Sequence, residues 1–231
     1  MKKIGIIGGL SAHSTLEYYR ILVDEYNKIK GGVSSPELVI DSLDLQKVSD
    51  FVRKDDWDEV LKIITESAKN LIQAKAEIII IATNTIHKIH QQLQEEFDTI
   101  PIVSIMDATA SAIKEKSLTK VGLLGTNFTM SLDFYPNTLL RFGIETIVPS
   151  KEDKIIIDDI IWKELTFNII NEDSKKAYVE IIEKLMQNGA QGVILGCTEI
   201  PLLVKDKDSP IPVFDTTYVH AMAVLKEALK I

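Results

Sequence analysis

The sequence of 231 residues contains a single cysteine, which excludes an internal disulfide and fits a reducing compartment. Basic residues are outnumbered by acidic ones, 26 against 34, and the net charge of −8 argues against binding to nucleic acid or anionic membranes. No apolar run approaches the roughly 18 residues of a membrane span. The start, MKKIGIIGGL, has only a short apolar run broken by glycines, unlike a signal peptide. We therefore expect a cytoplasmic protein with neither a nucleic-acid nor a membrane partner.

The pattern that organises the chain is an internal repeat. Residues 78–87 (IIIIATNTIH) align with residues 193–201 (VILGCTEIP) at an offset of 114. Residues 3–8 (KIGIIG) recur at 120–125 (KVGLLG) at an offset of 117, and IPIV at 100–103 recurs as IPVF at an offset of 111. Offsets that drift this smoothly indicate a duplication with small deletions.

Strands and helices alternate along both halves. Apolar, β-rich segments predict strands, and apolar periodicity near 3.6 predicts helices. The predicted strands are residues 2–9, 37–42, 77–82, 101–105, 120–125, 145–148, 192–196 and 211–214. The predicted helices are residues 14–30 (with Ser14 as cap), 57–75, 86–97, 107–115, 154–170, 174–188 and 215–230.

This alternation predicts an α/β protein with two pseudo-symmetric flavodoxin-like lobes, each a parallel sheet flanked by helices. The first lobe takes residues 1–98 plus 211–231, and the second takes residues 99–210. Ligands of such sheets bind beyond the carboxyl ends of the strands. Gly8, Thr83, Gly125 and Cys197 fall at those ends, so we expect the active site in the cleft between the lobes.

Two familiar kinds of site are disfavoured. The glycines near the start are spaced G-x-x-G-G rather than G-x-G-x-x-G, although Asp41 and Asp44 leave NAD open as an alternative. His87 and His90 share a helix face, but no third ligand with metal-site spacing accompanies them. A packed or surface role is expected for both, whereas His13 could line the site and His220 has no assigned place.

Hydroxyl and amide side chains follow several strands, where free backbone N–H groups favour carboxylates. They have two readings: they bind a substrate carboxylate, or they simply cap helices. The residues concerned are Asn84, Thr85, Thr126, Thr129, Thr198 and Glu199.

Cys197 is the sharpest single candidate. A lone cysteine is commonly a small buried hydrophobe. Its place between a strand end and a predicted helix N-terminus, where a thiolate is favoured, indicates a reactive group.

Taken together, the motifs resemble the aspartate/glutamate racemase family, most closely its L-aspartate/glutamate-specific branch. The resemblance covers nearly the whole chain and is carried by IGIIGG, TNTIH, VGLLGTNFT, GVILGCTEIPLLV and PVFDTT. It implies a homodimeric racemase that needs no cofactor, neither pyridoxal phosphate nor a metal. One thiolate of the family removes the α-proton and a thiol opposite returns a proton to the other face of the carbanion.

The sequence departs from this family at a decisive position, because Thr83 stands where the first cysteine is expected. A threonine hydroxyl, like water, has a pKa far above that of a thiol near 8.5, which makes Thr83 a very poor base by roughly 9–10 kcal/mol. The resemblance assigns the second-lobe cysteine to the L face. Cys197 should then deprotonate L-substrates while Thr83, directly or through a water, protonates the D face.

A second departure concerns the substrate's distal carboxylate. Aspartate racemases of the family carry Asp-Arg after the second strand, where this chain has Asp44-Leu45, and Thr166 replaces a lysine of a later helix. Lys163 lies near that position in sequence. The resemblance carries the α-carboxylate site over to Asn84, Thr85, Thr126, Thr129 and Thr198, with Ser11 and His13 as candidates to shape the rest.

Two alternatives compete with an acidic amino-acid racemase. An arylmalonate-type decarboxylase needs only one cysteine, which matches the single Cys197. A non-catalytic binder of amino or dicarboxylic acids would also explain the loss of the first cysteine.

Overall fold

The computed structural model describes residues 1–231 and divides into two compact units. The first unit comprises Met1–Ile105 and His220–Ile231, and the second comprises Met106–Val219. The chain therefore passes from the first unit to the second between residues 105 and 106, and returns to the first between residues 219 and 220. None of the helices is long and apolar enough to cross a membrane.

The first unit contains a four-stranded parallel sheet in the order β2-β1-β3-β4. Its strands are β1 (Ile4–Gly8), β2 (Leu38–Ser42), β3 (Ile78–Ile81) and β4 (Ile102–Val103). Its helices are α1 (Ala12–Lys30), α2 (Leu45–Arg53), α3 (Trp57–Gln73), a 3-10 helix at Thr85–Ile89, and α4 (His90–Glu96). All four isoleucines of β3 are fully buried, as a central parallel strand covered on both faces requires.

The second unit repeats this plan in the order β6-β5-β7-β8, again all parallel. Its strands are β5 (Lys120–Gly125), β6 (Glu145–Ile147), β7 (Val193–Gly196) and β8 (Val213–Asp215). The helices that follow α4 are α5 (Ile105–Glu115), α6 (Asn127–Ser131), α7 (Phe134–Arg141), α8 (Lys151–Lys163), α9 (Glu172–Gln187), α10 (Ile200–Leu203) and α11 (Thr216–Leu229), with 3-10 turns at Leu165–Phe167 and Asp206–Asp208. The predicted fold class, two α/β lobes with parallel sheets, is confirmed.

Each unit has its own apolar core. In the first, β1 and β3 pack with Tyr18 and Leu22 of α1 and with the apolar face of α11 around Val224. In the second, β5 and β7 pack with Ile157 and Ile161 of α8 and with α9. Each fully buried isoleucine or leucine stabilises the fold by about 1.5–3 kcal/mol relative to exposure.

Several predicted boundaries were wrong for identifiable reasons. Helix α1 begins at Ala12 because Ser11, rather than Ser14, caps it and accepts the N–H of Ser14. The predicted helix at 86–97 begins as a 3-10 helix, and the predicted helix at 154–170 ends at Lys163, after which Asn168 adopts a left-handed conformation. Helices α2 and α7 were not predicted.

The carboxyl ends of the strands hold the candidate residues in register. In the first unit Ile7 of β1 lies opposite Ile81 of β3, so the residues that follow both strands emerge side by side. Gly9 makes this possible: its φ is +74°, and a Cβ there would lie 2.0 Å from the carbonyl oxygen of Leu43. In the second unit Gly125 lies opposite Gly196.

Candidate active site

Cys197 directly follows β7, and two glycines let the chain come close to it. A Cβ on Gly196 would lie 2.8 Å from the Leu124 carbonyl oxygen, and one on Gly125 would lie 2.9 Å from the Gly196 carbonyl oxygen. The two strand ends therefore need residues without side chains. Cys197 itself is 8% exposed and packs at the margin of the second unit's core.

The Cys197 thiol has a specific partner. Its Sγ–H donates to Oε2 of Glu199 at 3.0 Å, and the Thr198 hydroxyl donates to the same oxygen at 2.9 Å. Glu199 is only 4% exposed. A buried carboxylate thus accepts both hydrogen bonds and orients the thiol.

The expectation that a helix N-terminus would favour the thiolate was wrong. Burial raises the pKa of the Cys197 thiol well above its usual range, and the charge of Glu199 raises it further, as does that of Asp158. Helix α10 has only four residues and begins three residues after Cys197. Its dipole is weak beside a carboxylate in direct contact. Both effects favour the protonated thiol.

Thr126 and Thr129 lie next to Cys197 because β5 and β7 are neighbours. Thr126 caps α6 by accepting the Thr129 N–H at 3.4 Å, and the two hydroxyls are 3.2 Å apart. Thr129 is fully buried, and its methyl side contacts the positions where Gly125 and Gly196 lack side chains. The capping role is therefore observed, and it lies at the end of β5, next to the end of β7 that carries Cys197.

Two residues of the second unit, one acting on this thiol and one at the end of the neighbouring strand, were missed by sequence reasoning. Asp158 accepts the Asn127 N–H at 2.7 Å and adds to the negative potential at Cys197. Thr217 is 1% exposed, its hydroxyl has no hydrogen-bond partner, and it follows β8, the neighbour of β7. The strand-end rule would have found Thr217 had it been applied to β8. Asp158 is on a helix and had no such signal.

In the first unit, Thr83 follows β3 and its backbone is held on both sides. Its N–H donates to the Ile81 carbonyl at 2.8 Å, and its own carbonyl accepts from Nδ1 of His87 at 2.7 Å. The Thr83 side chain is half-buried. A tight turn thus fixes the residue immediately after the strand.

The other first-unit candidates surround the same strand ends. Asn84 is buried and its carbonyl accepts the His87 N–H at 3.0 Å, while Thr85 opens the 3-10 helix and is half-buried. Ser11 is buried at the start of α1, where its carbonyl also accepts the Thr15 hydroxyl at 2.9 Å. His13, one turn further, is exposed.

The positions considered for the distal carboxylate are otherwise engaged. Asp44 caps α2 through the Gln46 N–H, and the Thr166 hydroxyl donates to the Ile161 carbonyl at 2.7 Å. Lys163 is exposed and pairs with Asp159 at 2.8 Å. No group of three or more histidine, cysteine, aspartate or glutamate side chains is arranged to hold a metal ion.

Comparisons with known proteins agree on one family. A model of the Asp/Glu/hydantoin racemase family matches residues 7–224. The crystal structure of a protein assigned as an Asp/Glu racemase from Yersinia pestis is 40% identical, with a TM-score of 0.92 over 99% of this chain and 100% of that chain. That of an aspartate racemase homologue from Pyrococcus horikoshii is 39% identical, with a TM-score of 0.87 over 99% and 100%. A glutamate racemase of Hydrogenobaculum is 31% identical over 78% of this chain and 70% of its own length.

Proposed function

Because the chain belongs to the Asp/Glu/hydantoin racemase family of isomerases, we propose that it inverts the α-carbon of L-aspartate or L-glutamate without pyridoxal phosphate. Cys197 removes the α-proton, and the Thr83 side returns a proton to the opposite face. The observation that carries this proposal is the Cys197 thiol, buried at a strand end and hydrogen-bonded to a carboxylate. Such a pair is a ready acid/base unit.

The raised pKa of Cys197 defines the first step of the cycle. The thiol proton passes from Sγ to Glu199, which leaves a thiolate and a carboxylic acid. The thiolate then takes the Cα–H proton and becomes a thiol again, while the electron pair stays on the α-carbon.

Reprotonation completes the inversion. The Thr83 hydroxyl gives its proton to the carbanion and recovers one from water, and the hydroxide left behind takes the proton held by Glu199. Cys197, Thr83 and Glu199 then return to their starting states, with no net proton gained or lost. Asn84, Thr85, Thr126, Thr129 and Thr198 bind the α-carboxylate in this proposal, with Ser11 at the edge of the first-unit loop and Glu199 beside the ammonium group. Most of these side chains are buried or half-buried, which limits water at the carbanion.

The mechanism predicts an asymmetry between exchange and racemisation. Removing a proton from a D-substrate requires Thr83 as base, and the pKa gap of roughly 7 units makes that step slow. A carbanion formed from an L-substrate is instead reprotonated mostly by Cys197 on the same face, which regenerates the L-substrate. Racemisation has an equilibrium constant of one, so kcat/KM stays equal in both directions, while hydrogen exchange with retention is fast only for L-substrates.

The test is α-proton exchange in D₂O, followed by NMR, with the L- and D-forms of aspartate and glutamate. Wild-type protein should exchange L-substrates, Cys197→Ser should not, and Thr83→Cys should accelerate exchange of D-substrates. Equal initial exchange of the two enantiomers by the wild type contradicts the assigned roles. Exchange that survives in Cys197→Ser removes the cysteine from the mechanism.

The protonated state of Cys197 also favours a second candidate, an arylmalonate-type decarboxylase. A resting thiol is already poised to protonate the carbanion left by loss of CO₂. Release of CO₂ from an aryl malonate, without exchange of any amino acid, would establish this activity instead. Binding of L-glutamate with neither reaction would indicate a binding protein.

We propose in addition that the protein forms a homodimer. Phe167, Ile169 and Ile170 form a short segment whose apolar side chains are about half exposed or more, a feature typical of interaction surfaces. Light scattering coupled to size-exclusion chromatography measures the assembly directly. A monomer mass for the wild type contradicts the proposal.

A further inference from the structure

Three histidines and a tyrosine form a buried cluster in the first unit. The rings of His87 and His90 are stacked, with centroids 5.6 Å apart and an interplanar angle of 8°, and His220 meets His87 edge-on at 5.4 Å. His220 and Tyr18 are fully buried, and His87 nearly so. So many titratable rings in one core need hydrogen-bond partners that suit their neutral forms.

The cluster clamps one short segment of backbone. Nε2 of His90 donates to the Ile102 carbonyl at 2.7 Å, and Nε2 of His220 donates to the Val103 carbonyl at 2.8 Å. Nε2 of His87 accepts the N–H of Ile105 at 3.1 Å. Residues 102–105 therefore hold all three rings, and the ring nitrogens concerned are committed to the protein rather than to a metal.

The hydrogen bonds determine the tautomer of His87. Its Nε2 accepts a backbone N–H and so carries no proton, which leaves the proton of the neutral ring on Nδ1. That Nδ1–H donates to the Thr83 carbonyl at 2.7 Å. A ring protonated on both nitrogens would place an N–H group against the Ile105 N–H, and two donors cannot form a hydrogen bond. Consistently, burial lowers the pKa of His87 well below its usual range, and the neighbouring His220 and His90 lower it further.

This arrangement links the first-unit candidate to a rigid frame. The Thr83 N–H donates to the Ile81 carbonyl, and the Thr83 carbonyl accepts from Nδ1 of His87. We propose that His87 is a positioning residue, whose Nδ1–H holds the Thr83 turn so that the Thr83 hydroxyl reaches the carbanion. This inference rests on the proposed function, since it assigns a reason for the placement of the group that protonates the D face.

Two substitutions test the hydrogen bond made by Nδ1 separately from the one made by Nε2. The amide nitrogen of asparagine falls near the position of Nδ1, so His87→Asn keeps a donor for Thr83. The amide of glutamine falls near Nε2, so His87→Gln keeps a partner for Ile105 and loses the donor to Thr83. The two variants are alike in polarity and complementary in their bonds, since each keeps one of the two hydrogen bonds of the His87 ring and loses the other.

The measurement is made on full-length protein in D₂O with L-glutamate and L-aspartate. Chiral chromatography measures the amount of D-enantiomer formed, and NMR measures the deuterium gained by the L-substrate. The quantity compared between variants is the ratio of the first amount to the second. Since misplacing a reacting group by about 1 Å costs on the order of 100-fold, His87→Gln should lower this ratio by about tenfold or more with little change in exchange. His87→Asn should keep the ratio near that of the wild type.

A general loss of structure would reduce exchange and inversion in parallel, so an unchanged ratio in His87→Gln overturns the positioning role. Absence of exchange by the wild type overturns the proposed function itself, and the positioning role with it. A second readout does not depend on the variants' folding. In ¹⁵N-labelled wild-type protein, the His87 ring should show a neutral Nδ1–H tautomer, and an Nε2–H tautomer would refute the assignment.

Discussion

Acid should destabilise the protein through His220, by an amount that its surroundings define. His220 is fully buried, donates to the Val103 carbonyl and accepts the Tyr18 hydroxyl at 2.8 Å. Its pKa is lowered to about 4, chiefly by burial; the hydrogen bond to Val103 opposes this shift, and the charge of His90 adds a smaller lowering. Protonation would remove the acceptor for Tyr18 and leave a buried charge.

The sign follows from comparing folded and unfolded chains. The unfolded chain binds a proton with a pKa of about 6.5, whereas the folded chain does so only near 4. The stability that a neutral His220 contributes is fully present above pH 6.5 and is lost as the pH falls through 4. Between pH 7 and 4.5 the wild type should lose about 2–3 kcal/mol through this residue, since each pKa unit is worth about 1.4 kcal/mol.

The assay compares urea unfolding, followed by circular dichroism, of wild type and His220→Gln at both pH values. Glutamine retains an amide donor for the Val103 carbonyl but does not titrate. Carboxylates contribute to both proteins, so the double difference reports His220 together with its charge coupling to His87 and His90. The expected double difference is about 2–3 kcal/mol. Equal losses in the two proteins would refute the reasoning that burial keeps this histidine neutral.

Two further predictions concern the thiol and the first strand turn. Glu199→Gln removes the base that takes the thiol proton and the charge that helps to raise the pKa of Cys197. Exchange of L-substrates should therefore slow and its pH profile should move to lower pH, although burial still holds the pKa above its usual range. An unmoved midpoint in the exchange profile would show that Glu199 does not set that pKa. Gly9→Ala should destabilise the first unit by more than about 3 kcal/mol, because its Cβ would overlap the Leu43 backbone. Gly32 has a similar positive φ but open space around it, so Gly32→Ala should lower the free energy of unfolding in urea by only about 1–2 kcal/mol. Equal losses of stability in the two variants would contradict the steric argument.

Strands and the overall plan were accessible from sequence because their signals are local. The isoleucine run of β3 and the apolar runs of β1, β5 and β7 predict buried parallel strands, and these strands were found. The duplication predicted two similar sheets, and the orders β2-β1-β3-β4 and β6-β5-β7-β8 correspond strand for strand. Both inferences need only composition and spacing along the chain.

Helices with weak or interrupted patterns were not accessible in the same way. Helix α2 buries only Val48 and Val52, and α7 carries Pro136 in its first turn, a residue that also marks loops. The segment after Thr83 is a 3-10 helix rather than an α-helix. This tighter winding places Nδ1 of His87 on the Thr83 carbonyl four residues earlier.

At the site, the sequence indicated residue types and their places at strand ends but could not indicate protonation states. Cys197 was expected as a favoured thiolate, but burial in the core and the Glu199 carboxylate against its sulfur raise the pKa of the thiol instead. The direction of a pKa depends on distances and burial, which are properties of packed side chains.

The sequence by itself therefore determined the α/β plan, its duplication, and the polar residues that follow each strand, since each of these is written in contiguous runs or regular offsets. Only the tertiary structure decided which groups meet. His87, His90 and His220 come from distant parts of the chain, yet all bind the backbone of residues 102–105. Packing brings them to within hydrogen-bond reach, and there the short range of the hydrogen bond and the low polarity of the core select their tautomers and charges.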